Sequence, residues 1–272
     1  MHLSHIDYDD YVQAKKKVGF NIDTNHRCRL QCPACQRQKP SLKWKIKASQ
    51  DMPINDWRKL LKFANSSIEK WNHFNFAKMC GQISDPIYHP NFHELMQIRN
   101  EEFPLICMEI NTNGSGKKME WWEKSFELSA QGPVEKDKWI FALDGTDNYT
   151  NNIYRVNSNF DEVYEVLKKG KQEYDLQIWW FFLIFEHNVH QLETARKMAK
   201  DLKIGFREEY TTRTGGDIIV VDKEGIIFND ITDRGKQYYM RQPDWKEQKI
   251  KKYEEFLNKN ANNCLQTTKT SV

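Results

Sequence analysis

The sequence predicts an α/β fold: a partial (β/α)6 barrel of parallel strands with a small C-terminal hairpin-plus-helix appendage. Three observations predict it. Short apolar runs alternate with segments of helical period from residue 18 to residue 210, about six times over. The alternation stops at Thr211, after which two apolar runs, Asp217 to Val221 and Gly225 to Phe228, flank Asp222-Lys223-Glu224 as a hairpin would. Three cysteines fall in the loop after the first apolar run, and folds of this class put their chemistry at the carboxyl ends of strands.

The elements follow in order. Residues 1–17 form a polar N-terminal extension anchored by Tyr8 and Tyr11, and Val18 to Ile22 is the first strand. Gln36 to Gln50, rich in Lys and Arg with Trp44, reads as a solvated loop rather than a substrate-binding one. Asn55 caps a helix in which Trp57, Leu60, Leu61 and Ala64 recur at helical spacing. Phe74 to Cys80 is a strand, Asn91 to Arg99 a helix, Leu105 to Ile110 a strand, and Met119 to Leu128 a helix. Trp139 to Leu143 is the next strand, and Phe160 to Lys169 a helix with Val163, Val166 and Leu167 on one face. Leu176 to Phe185 is a strand, Val189 to Leu202 a helix, and Ile204 to Tyr210 closes the series. Three segments result: the extension 1–17, the barrel 18–210, and the appendage 211–272, in which Pro243 opens a charged helix through Leu257 before a polar tail.

Composition excludes several classes. At 272 residues the chain is long enough for one sizeable core, or for a main domain with a small appendage. Its 41 basic and 38 acidic residues leave +3, which gives no indication of nucleic acid. Met1 to Asp10 is polar, unlike a signal peptide, and the longest apolar run, Ile178 to Phe185, falls far short of the roughly 18 residues of a membrane helix. A cytoplasmic location without membrane contact is expected. The six cysteines are Cys28, Cys32, Cys35, Cys80, Cys107 and Cys264. Three cluster, as metal-binding thiols in a reducing compartment do; a disulfide framework would be spread more evenly.

The Cys28-x-x-x-Cys32-x-x-Cys35 spacing holds either zinc or an iron–sulfur cluster. Structural zinc wants four closed ligands, and no second cysteine pair lies downstream; His26 would have to fold back sharply to serve. Three thiolates on a four-iron cluster leave one iron open. The turns after the next strands are Gly81-Gln82-Ile83-Ser84-Asp85-Pro86, Asn111-Thr112-Asn113-Gly114 and Asp144-Gly145, the last followed by Arg155. Each alone is ordinary turn chemistry; their shared placement at strand ends raises them. Gly81 and Gly114 let backbone approach a ligand closely.

With these residues in order, residues 18 to 210 resemble the radical SAM enzymes. The cysteine spacing is similar to that family's cluster motif, Ser84-Asp85-Pro86 to its Gly-Glu-Pro motif, and Thr112-Asn113-Gly114 to its third-strand motif. Leu143-Asp144-Gly145 with Tyr154-Arg155 resembles its fourth-strand region, and Asn188 fits after the fifth strand. The resemblance implies an oxidoreductase-type radical chemistry. Cys28, Cys32 and Cys35 would hold one 4Fe-4S cluster whose open iron binds S-adenosylmethionine, cleaved reductively to a radical that abstracts hydrogen from substrate. It implies that Gly81, Gln82, Ser84 and Asp85 meet the methionine amino group, with Asp85 in place of the usual Glu. Arg155 would pair with the methionine carboxylate, while Asn111, Asn113, Asp144 and Asn188 contribute to the cofactor pocket. Ala34 and Ala142 depart from the family pattern, where an adenine-stacking aromatic and a Ser are common. The appendage resembles a twitch domain but lacks the cysteines for an auxiliary cluster, so Cys80 and Cys107 are expected as buried thiols and Cys264 as a free surface one. The implied partners are an external electron donor of flavodoxin or ferredoxin type and a peptide or small-molecule substrate. The alternatives are a zinc-binding interaction module using the same thiols, and a cofactor-binding relative without chemistry.

Overall fold

A computed structural model describes residues 18–33, 35–38, 50–71, 74–79, 81–132, 136–185, 187–210, 220–221 and 227–228. Six strands, β1 (Val18–Ile22), β2 (Phe74–Met79), β3 (Cys107–Thr112), β4 (Lys138–Ala142), β5 (Gln177–Ile184) and β6 (Gly205–Tyr210), form one sheet in sequence order. Every neighbouring pair is parallel. Parallel neighbours need a crossover, and helices supply it: α1 (Ile54–Trp71), α2 (Phe92–Glu102), α3 (Met119–Ala130), α4 (Asn148–Tyr154), α5 (Phe160–Gln172) and α6 (Leu192–Asp201). Among the described residues β1 and β6 do not pair with one another, so the barrel is partial.

Side chains alternate across each strand, and the two faces of the sheet differ in kind. Towards the helices, Met108 and Ile110 of β3, Trp139 and Phe141 of β4, and Ile178, Trp180 and Phe182 of β5 are buried in one core. Trp57 and Trp122 enter it from α1 and α3, with Trp122 meeting Trp139 edge-on at 5.6 Å between ring centroids. Burying a side chain of this size is worth roughly 2–3 kcal/mol. The inner face carries charge: Glu109 of β3 lies between Lys78 of β2 at 2.8 Å and Lys138 of β4 at 3.2 Å. At the amino ends of the strands Arg99 of α2 pairs with Asp137, both fully buried, and Met108 N–H donates to the same carboxylate at 2.8 Å.

Several boundaries differ from expectation. Asn55 is not a cap: Trp57 N–H already bonds the Pro53 carbonyl at 3.0 Å, so α1 begins at Ile54 and Asn55 sits in its first turn. The third strand runs Cys107–Thr112 rather than from Leu105, because Pro104 and Leu105 form a turn closed by Ile106 N–H on the Phe103 carbonyl at 3.0 Å. Helix α4 was not expected; its N-cap Asp147 accepts from Thr150 N–H at 2.7 Å. The stretch from Val189 divides into a 3-10 turn, Val189–Gln191, and α6. Cys107 is half-buried rather than buried. The hairpin holds in part as β7 (Val220–Val221) antiparallel to β8 (Ile227–Phe228). The extension 1–17, the helix expected over 243–257, Ala34, Cys80 and Cys264 lie outside the described residues.

Candidate active site

The loop from β1 to Gln38 is tied down by contacts from other strand ends. Asn25, itself buried, donates through Nδ2 to the Asp85 carbonyl at 3.0 Å, and Asp85 N–H donates to the Arg27 carbonyl at 2.8 Å. Arg27 forks onto Asp51 with 2.9 and 2.7 Å bonds. Gln31 N–H reaches the Val156 carbonyl at 3.1 Å, and Ser84 Oγ donates to Asp23 at 2.7 Å. Arg37, expected in a solvated loop, donates instead to the His26 carbonyl at 2.7 Å and to the Ile83 carbonyl.

These ties place Cys28, Cys32 and Cys35 along one side of a cavity of about 330 Å³. Gly81 to Asp85 and Asn111 to Asn113 line it too, Asn113 Nδ2 coming within 3.6 Å of Cys28 Sγ, together with the apolar side chains of Ile140, Ala142, Phe181 and Leu183 and with Glu209 of β6. Behind the thiols, Leu30, Tyr154 and Phe185 pack with Cys32 as a second apolar cluster, and the Tyr154 and Phe185 rings are 4.5 Å apart. Stacked on Phe185 at 5.3 Å, His187 is pushed down to about 4 by burial and by His190.

Burial pushes the Cys28 thiol up to about 12, helped by the charges of Asp85 and Cys32. It pushes Cys32 up to about 11, against the pull of Arg155. In the metal-free chain both thiols keep their protons at neutral pH, so binding a metal must release them.

Two buried carboxylates organise the walls. Asp85 accepts from Thr112 Oγ1 at 3.0 Å, Asn113 N–H at 2.7 Å, Asn113 Nδ2 and, capping a 3-10 turn, Ile87 N–H at 3.2 Å. Desolvation still raises it to about 6. Asp144 is fully buried and accepts from Arg155 Nε at 2.6 Å and Leu183 N–H at 2.7 Å. For Arg155, burial opposes the charge, but Asp144 first, then Cys32 and Tyr154, outweigh it and hold the guanidinium above its ordinary value. Asn188 donates to the Asp144 carbonyl at 3.0 Å and the Leu183 carbonyl at 2.8 Å. Gly81 adopts φ +56°, and a Cβ there would meet the Ser84 carbonyl oxygen at 2.6 Å, so this turn closes only with glycine.

Of the residues the sequence singled out, Cys28, Cys32, Cys35, Gly81, Gln82, Ser84, Asp85, Asn111, Asn113 and Arg155 all line this cavity. Asp144 and Asn188 do not; they stand behind the wall and fix Arg155 and the end of β5. The sequence reading missed the apolar wall and Glu209, although Phe181 and Leu183 alternate with buried Trp180 and Phe182 in a visible period of two.

Among the described residues no three His, Cys, Asp or Glu side chains converge on one ion. A four-iron cluster takes one thiolate per iron, so three thiols lining one cavity are a donor set that fits it.

No family model matches the chain, and no curated protein is similar to it. Its fold does match solved structures of SuiB from Streptococcus suis at 18% identity. With the precursor peptide SuiA bound, SuiB aligns at a TM-score of 0.58 over 73% of this chain and 40% of its own. With S-adenosylmethionine bound, it aligns at 0.57 over 73% and 42%. The chain thus spans about two-fifths of SuiB's length. At this identity the likeness shows the fold alone, a partial barrel of parallel strands. Among the described residues no helix is long and apolar enough to cross a membrane.

Proposed function

We propose that the chain is a radical SAM enzyme in which Cys28, Cys32 and Cys35 hold one 4Fe-4S cluster and the same cavity takes S-adenosylmethionine. One observation carries the reading: three thiols and the turns after β2 and β3 line a single 330 Å³ cavity. When bound, cluster and cofactor together supply one-electron reductive cleavage of a sulfonium and a radical that takes hydrogen from substrate. The chain's own residues bind and orient. Gly81, Gln82, Ser84 and Asn111 offer backbone and polar groups to a zwitterionic ligand, on a turn that Gly81 keeps tight, and Asn113 lines the same wall with its own groups engaged by Asp85, Cys28 and Ser115. Asp85 sets that wall's geometry, its carboxylate being engaged by Thr112, Asn113 and Ile87. Leu30, Tyr154 and Phe185 exclude water from behind the thiols. Asp144 and Asn188 act from the second layer through Arg155 and Leu183.

SuiB's structure with a precursor peptide supports a peptide substrate, entering against the apolar wall of Ile140, Phe181 and Leu183; a small molecule is the other class this cavity admits. An external electron donor of flavodoxin or ferredoxin type and a cytoplasmic setting complete the reading, with residues 211–272 as a cluster-free twitch-like appendage.

Anaerobic reconstitution with iron and sulfide tests it. A brown protein that releases 5′-deoxyadenosine from S-adenosylmethionine under dithionite is expected, and Cys32→Ala should abolish both colour and product. Stoichiometric zinc without iron would assign the thiols to an interaction module. A cluster that yields no 5′-deoxyadenosine would leave a binding relative without chemistry.

A further inference from the structure

We propose that Asn113 and Arg155 act on the metal centre itself, Asn113 by delivering an N–H to a ligand sulfur and Arg155 by placing its positive charge in the cavity beside the thiols, together setting how easily the centre is reduced. The inference rests on the reading of Cys28 and Cys32 as cluster ligands.

Both residues line the cavity together with the thiols. An Asn amide carries two N–H groups. On Asn113 they reach Asp85 Oδ2 and Cys28 Sγ, the latter at 3.6 Å. Which way this amide faces is fixed, because Asn113 Oδ1 accepts Ser115 N–H at 3.0 Å. Its position is fixed too, because Asp85 also takes Asn113's backbone N–H at 2.7 Å. The Arg155 guanidinium lines the same cavity as Cys32, whose thiolate its charge favours, and its Nε is held at 2.6 Å by Asp144. Asp144 in turn is locked by Leu183 N–H at 2.7 Å, by its own N–H on Asn151 Oδ1 at 2.9 Å, and by Asn188 on its carbonyl at 3.0 Å. Cys28 thus receives an N–H, and the cavity a guanidinium, from side chains each held by a buried carboxylate, one in the turn after β2 and one in the turn after β4.

An N–H pointing at a thiolate draws charge off the sulfur and favours the more negative, reduced cluster, so it raises the reduction potential. Arg155 adds a full positive charge at a site with little water. Both are positioning residues, and Arg155 acquires a task different from pairing with a methionine carboxylate, since its Nε is engaged by Asp144.

The test is the midpoint potential of the reconstituted, S-adenosylmethionine-free cluster, followed by electron paramagnetic resonance in a redox titration. Asn113→Leu and Arg155→Met should each shift it to more negative values, while Arg155→Lys, which keeps the charge, should stay nearer the wild type. Unchanged potentials in Asn113→Leu and Arg155→Met overturn the inference. So does a pattern in which Arg155→Met weakens S-adenosylmethionine binding and leaves the cofactor-free potential alone, which is the signature of carboxylate pairing. If either variant fails to hold a cluster, the wild-type protein decides: its Fe–S(Cys) resonance Raman bands should shift on exchange into D2O, and bands that do not move overturn the proposal. A wild-type chain that takes up no cluster at all refutes the enzyme reading instead, a result distinguishable from all of these.

Discussion

Asp85 joins the turn after β2 to the end of β3, and its ionisation is therefore built into the site. Burial raises its carboxyl to about 6 although Asn113, Thr112 and Ile87 all donate to it. An acid raised by folding contributes stability in full below its unfolded value, and loses that contribution as pH rises through the folded one. Asp85→Asn cannot titrate. The stability of wild type relative to this variant should therefore fall by roughly 3 kcal/mol between about pH 4 and about pH 8. Urea denaturation of the metal-free proteins at both pH values checks this; a constant gap would dismiss it. Gly114 offers a second test. At φ +73° an added Cβ would lie 2.6 Å from Val163 Cγ1 and 3.0 Å from Phe141, so Gly114→Ala should cost about 2–4 kcal/mol. Pairing it with Val163→Ala should return part of that loss in a double-mutant cycle. The cysteine spacing and the Asn-Gly and Asp-Gly turns were legible in sequence because they are local. That Asp85 spends its carboxylate on Thr112 and Asn113, and that Asp144 sits behind Arg155, are contacts across 27 and 11 residues, which no local pattern encodes.

At the scale of elements, the strand–helix alternation was legible almost throughout, because strands buried on the helix side read as apolar runs and the helices carry one apolar face. The errors fell where a turn competes with an element: at Pro104-Leu105 before β3, at Pro53 before α1, and in α4. Helix α4, Asn-rich and only 7 residues long, has no apolar stripe to reveal it; what makes it is Asp147, which caps Thr150 and receives Gln191. Asp147→Ala should cost about 1–2 kcal/mol by thermal or urea unfolding. Since α4 ends in Tyr154 and leads into Arg155, the same variant should also loosen the wall behind Cys32, read as faster alkylation of that thiol in the metal-free protein. An alkylation rate equal to wild type would separate the helix from the site.

Across the whole molecule, the two ends of the barrel divide their tasks: chemistry-bearing side chains gather where strands end, and a buried ion pair braces where they begin. Removing one partner of such a pair leaves an uncompensated charge, so Asp137→Ala should destabilise by about 3–5 kcal/mol in urea. Arg99→Met with Asp137→Leu should recover much of that, short of the bond Asp137 makes to Met108 N–H. Neither change should alter iron uptake, as the pair lies away from the cavity lining. The ties on the cysteine loop carry a consequence for biosynthesis. Cys28, Cys32 and Cys35 leave the ribosome early, yet their loop closes on Asp51, Ile83, Asp85, Arg155 and Val156. The last two of these emerge only after four strands have been made. Until then the thiols are an open, unshielded tripod, exposed to any stray metal or oxidant. On the reading proposed above, loading of a cluster on these thiols would follow translation of the fourth strand–helix unit, and a nascent chain arrested before Arg155 should be unable to retain it.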